Sequence, residues 1–91
     1  MPRVAAISIA GMDLWFWSND HSPAHFHASR VDEWEIAVRF MSCTPNSLDF
    51  EVKWGSGPNA RDRKALLHAV LARRGELLVE RETTVASEEK R

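Results

Sequence analysis

Between positions 33 and 54 the chain alternates apolar and polar residues in two runs, and this pattern constrains the fold more than any other feature. Trp34, Ile36, Val38 and Phe40 alternate with Glu33, Glu35, Ala37 and Arg39; Leu48, Phe50, Val52 and Trp54 alternate with Asp49, Glu51 and Lys53. Successive side chains of a strand point to opposite faces, so a period of two describes strands with one buried and one solvated face. Residues 42–47 join the two runs and contain Pro45-Asn46, which predicts a hairpin. In this reading Trp34 and Trp54 both belong to the core.

The pattern changes after Trp54. Gly55-Ser56-Gly57-Pro58 breaks the strand, and Asn59 is placed to cap a helix with Asp62 in its first turn. The glycine stretch lacks the lysine of a phosphate loop, so a plain strand-to-helix turn is the better reading. A helix is expected from residue 60 to about 74, with Leu67, Val70 and Leu71 as its apolar stripe and Leu66 beside them. Gly75 reads as its terminator, and residues 76–82 as a second short helix. Upstream, residues 4–10 and 12–17 read as strands. In the second, Trp15 and Trp17 share one face, and Leu14 and Phe16 the other. A further strand starts near His25. Strands first and helices last predict an α+β domain: a small, mostly antiparallel sheet of four to five strands with one or two C-terminal helices on one face. The 91 residues suit one domain, expected at 1–83, with 84–91 as a charged, frayed tail.

A formal net charge of -1 argues against nucleic-acid binding by bulk charge, although Arg61, Arg63 and Lys64 form a local basic patch on the expected helix. The single cysteine, Cys43, excludes an internal disulfide and a cysteine-rich zinc site; it reads as a partly buried strand-end residue. No apolar run approaches the roughly 18–20 residues of a membrane span. The short, interrupted apolar start does not resemble a signal peptide, so the expected location is cytoplasmic and no membrane partner is expected.

Chemistry concentrates in Asp20-His21-Ser22-Pro23-Ala24-His25-Phe26-His27, which holds three of the four histidines. On an extended segment His25 and His27 point to the same side, roughly 6.5–7 Å apart, while Phe26 and Ala28 point to the core. Pro23 stiffens the approach to His25, and His21 is placed to fold back toward the pair. Three readings fit. In the first, His21, His25 and His27 bind a divalent transition metal such as zinc. Asp20 then orients one ring, and Glu33 or Glu35 supplies a carboxylate. In the second, the histidines act as acid and base on RNA, with the basic helix holding phosphates. In the third, the rings shape a loop or a protein-contact surface. His68, off the helix stripe, reads as a solvated surface residue. Trp15 and Trp17 read as an apolar patch for a partner.

The run from Phe16 to Ala28 also resembles the signature of a small bacterial family, domain of unknown function 4160. That signature is an aromatic segment followed by D-H-x-P-P-H-F-H and a small residue. The resemblance covers roughly residues 2–82 and includes Glu76-Leu77-Leu78. Ala24 replaces the second proline, and the tryptophan usual after Glu-Leu-Leu is absent, since Val79-Glu80-Arg81 follow Leu78. Neither departure touches a histidine. The resemblance implies a short bacterial protein encoded beside a second small gene, in an arrangement like a toxin–antitoxin pair. It implies no established reaction. The expected function is therefore a partner-binding member of such a module, with the neighbouring gene's small protein as cognate partner and a histidine surface able to hold metal. The alternative is a small RNase-like toxin. Self-association into a homo-oligomer is open in either case.

Overall fold

A computed structural model describes residues 3–16 and 24–89, with side chains described to residue 83. Four strands form one antiparallel meander: β1 (Asp13–Trp15), β2 (Phe26–Arg30), β3 (Trp34–Val38) and β4 (Phe50–Gly55), in that order across the sheet. One long helix, α1 (Ala60–Glu89), follows. The α+β fold with an antiparallel sheet and a C-terminal helix is therefore present, with four strands rather than five.

The β2–β3 turn closes through Glu33 N–H donating to Arg30 O at 3.0 Å, with Asp32 at φ 64°. Aspartate tolerates this left-handed conformation better than most residues. Gly55 ends β4 at φ 80°, where a Cβ would lie 2.3 Å from Glu33 O and 2.8 Å from Trp34 Cα. Only glycine lets β4 close against this turn.

One face of the sheet carries Leu14, Phe26, Ala28, Ile36 and Val38, all buried against Leu66, Val70 and Leu77 of α1. Leu67 packs at the margin of this core and Leu71 is half-buried. The helix starts as expected: Asp62 N–H donates to Asn59 Oδ1 at 2.8 Å. The buried Asp62 carboxylate then takes two hydrogen bonds from Arg30, tying α1 to the end of β2.

Three expectations are corrected. Residues 4–10 do not form a strand. Arg3 makes a single bridge to Trp15, and Val4 N–H donates to Leu14 O at 2.9 Å. The next two amides, Ala5 and Ala6, donate instead to the Glu80 carboxylate at 2.6 and 3.0 Å. A side chain of α1 thus takes the donors a fifth strand would need. Gly75 does not terminate the helix. The irregular residue is Arg73 (φ -128°, ψ 23°), where two helical segments meet at a kink, and helical backbone continues to Glu89. Arg74, beside the kink, donates to Cys43 O at 2.6 Å and anchors this turn to the segment before β4.

The third correction concerns Trp54. Trp34 is buried at 3% exposure, whereas Trp54 is 47% exposed. The β3–β4 register shifts between Glu35 and Ile36: Ile36 faces Val52, but Glu35 faces Trp54. The extra residue, Lys53, is a bulge that turns Trp54 into register with the polar face.

Cys43 is more buried than expected, at 3% exposure, with its Sγ accepting from Asp49 N–H at 3.3 Å. Burial pushes its thiol above the usual range, which makes it a poor nucleophile.

Candidate functional site

The face of the sheet opposite α1 presents the second set of alternating residues. Trp15 on β1 pairs with His27 on β2, and His27 pairs with Ala37 on β3. The Trp15 and His27 rings stack, with centroids 5.6 Å apart and planes 18° from parallel. His25, two residues before His27 and on the same side, meets it edge-on at 5.2 Å and 66°. The shared side of His25 and His27 is what strand geometry dictates; the stacking on Trp15 comes from the β1–β2 register. His27 is buried at 6% exposure.

Carboxylates lie beside this cluster. Glu35 Oε2 is 3.9 Å from His27 Nδ1, an ion-pair distance too long for a hydrogen bond. Glu33, the other acidic candidate, is exposed in the β2–β3 turn. Glu51, in register with Ala37, bonds Lys53 Nζ at 2.7 Å, and this contact holds its carboxyl below the usual range.

A groove of about 500 Å³ adjoins the cluster, lined by Arg3, Asp13, Leu14, Trp15, Ser29 and Glu35. Arg3 and Asp13 bridge across it at 2.6 Å. The buried Trp15 Nε1 has no hydrogen-bond acceptor among the described residues.

The structure brings Trp15, His25, His27 and Glu35 together. It separates them from the basic helix positions. Arg61, Arg63 and Lys64 lie at the start of α1, which packs on the other side of the sheet. Arg63 donates to Pro58 O at 2.8 Å and, with Lys64, lines a hollow beside Leu48, Phe50 and Leu67. His68 is exposed, as expected. Trp17, Asp20 and His21 lie outside the described residues. Arg3 and Asp13 were not apparent as site residues from the sequence; only the return of the N-terminal segment onto β1 puts them at the groove.

Two histidine ligands of one tetrahedral zinc, each at about 2.0–2.1 Å, hold their ring centroids roughly 5–6 Å apart. The His25–His27 separation fits that arrangement. Among the described residues no group of three or more His, Cys, Asp or Glu side chains is arranged to hold a metal ion. Among the described residues, no helix is long and apolar enough to cross a membrane. Comparison with protein-family models, curated proteins and solved structures finds no match.

Proposed function

We propose that this protein is the partner-binding member of a bacterial two-gene module of the toxin–antitoxin kind. Its contact surface is the face carrying Trp15, His25 and His27, and its imidazoles are able to hold a divalent metal such as zinc with His21. One observation carries the reading. A tryptophan stacked on a buried histidine, on the face away from the helix, forms a rigid aromatic platform. Side chains of this kind make contact area at low entropic cost and dominate binding energy in protein interfaces. The signature around His25 and His27 supports the two-gene setting.

The RNase-like alternative draws less support. Its phosphate-holding cations were to be Arg61, Arg63 and Lys64, which stand across the sheet from the histidines. The cations described on the histidine side are Arg3, Arg39 and Lys53, and each is already paired with a carboxylate.

The test is co-purification of the untagged chain with the product of its neighbouring gene. His25→Ala is the informative variant, because His27 is buried and its loss would disturb packing. Retained folding with lost capture supports the reading. Capture that survives both His25→Ala and Trp15→Ala places the partner elsewhere. Elemental analysis of the same preparations decides the metal. Near-stoichiometric zinc, lost in His25→Ala, supports ligation; protein that takes up no added metal removes it. RNA degraded by purified protein, and spared by His25→Ala, would favour the toxin instead.

A further inference from the structure

The geometry points to β4 as a self-association edge, pairing antiparallel with β4 of a second copy of this chain about a two-fold axis at Val52. The two edges of the sheet differ. At the β1 edge the N-terminal segment is already attached, through Arg3–Trp15 and Val4–Leu14. At the other edge, among the described residues, no backbone hydrogen bond joins β4 to anything but β3. Two of the five large exposed apolar side chains, Val52 at 44% and Trp54 at 47%, belong to this strand.

The hydrogen-bond phase of β4 selects the axis. Arg39 N–H donates to Asp49 O at 2.9 Å, so that pair is a hydrogen-bonded one. Bonded and non-bonded pairs alternate along an antiparallel ladder. Stepping through Val38–Phe50, Ala37–Glu51 and Ile36–Val52 leaves the N–H and C=O of Val52 directed away from β3. Two copies related by a two-fold at Val52 exchange these groups reciprocally.

Charge selects the same register. About Val52, Glu51 of each copy lies opposite Lys53 of the other, on the same face, and the contact occurs twice by symmetry. Centring on Phe50, the other outward-directed residue, would set Glu51 against Asp49. A lysine and a bulge are also features that keep an open edge from pairing indiscriminately. Here they disfavour other registers and leave this one matched. The axis runs perpendicular to the sheet, so both helices fall on one side and both Trp15–His27 clusters on the other. With strands about 4.8 Å apart, the two β2 strands lie roughly 24 Å from each other across five spacings.

Sedimentation of the untagged chain at micromolar concentration tests this. The expected species has twice the 10.4 kDa of one chain. Glu51→Lys and Lys53→Glu each set like charges opposite one another twice, and each weakens the dimer roughly tenfold. The double exchange Glu51→Lys/Lys53→Glu restores the match and the affinity. Both positions face solvent, and circular dichroism verifies folding. Val52→Cys is joined into a covalent dimer by a short bifunctional thiol crosslinker, because facing Cα atoms in a bonded pair lie about 5.5 Å apart. Wild-type protein, whose Cys43 is buried, does not crosslink. A wild-type chain that stays monomeric overturns the proposal, even if its edge captures another protein. A dimer indifferent to both single charge changes also overturns it, since its interface lies elsewhere.

Discussion

Arg30 and Asp62 form a two-pronged ion pair, Nε to Oδ2 and Nη2 to Oδ1, both at 2.8 Å, joining the end of β2 to the first turn of α1. The Asp62 side chain is 9% exposed and that of Arg30 26%. Such partly buried, fork-to-carboxylate bonds are among the stronger polar contacts in proteins. Asp62→Ala is expected to cost about 2–3 kcal/mol in chemical unfolding, because it leaves the guanidinium without its acceptor. A loss below half a kcal/mol would mean that the pair contributes little.

The same pair sets an acid limit. The hydrogen bond from Arg30 holds the Asp62 carboxyl below its ordinary value, and Arg39 does the same for Asp49. A carboxyl whose folded pKa is depressed stabilises the fold fully above the unfolded value, about 3.9. Its contribution is lost as pH falls from there through the lower folded value. Stability should be flat near neutrality and decline below about pH 5. Asp62→Asn should be less stable at neutral pH and show a shallower acid decline. Parallel acid profiles for wild type and variant would count against the linkage.

Two glycines should respond in opposite directions to alanine. Gly55→Ala meets Glu33 O and Trp34 and strains a left-handed backbone, so a loss of about 2–4 kcal/mol is expected. Gly75→Ala meets nothing within 4 Å in a helical turn, so a gain of about 0.5–1 kcal/mol is expected. Thermal melts of the two variants check this. A destabilising Gly75→Ala would restore that residue as a helix terminator.

Glu80 holds the N-terminal segment through the Ala5 and Ala6 amides. Glu80→Ala should raise hydrogen exchange at those two amides well before it changes exchange in the sheet, because the bonds lie outside the strand ladder. Unchanged protection at Ala5 and Ala6 would show that other contacts hold the segment.

Trp15→Ala removes the ring that covers His27, at a cost of about 2 kcal/mol for a half-buried aromatic. The histidine proton signals should shift strongly on loss of the stacked indole ring. Unshifted His27 resonances would place the tryptophan elsewhere in solution.

Much of this architecture was legible in the residue order, because it rests on local rules. The period of two places Ile36 and Val38 on the core face. The Asn59 cap and Asp62 mark the helix start, and the same-side placement of His25 and His27 follows from strand geometry. The readings that failed depended on distant partners. Residues 4–10 have strand-like composition, yet the Ala5 and Ala6 amides go to Glu80, far along the chain. Trp54 continues an unbroken alternation, yet the Lys53 bulge reverses it.

Backbone stereochemistry and apolar periodicity, which act over a few residues, are enough to place the four sheet strands, the helix start and His25 beside His27 on one side of a strand. Tertiary structure decided which tryptophan stacks on which histidine, and that the basic helix stands across the sheet from both. It also decided which sheet edge, among the described residues, takes the N-terminal segment. Those outcomes depend on register and on the choice among competing hydrogen-bond acceptors, and both are settled only when distant segments pack together.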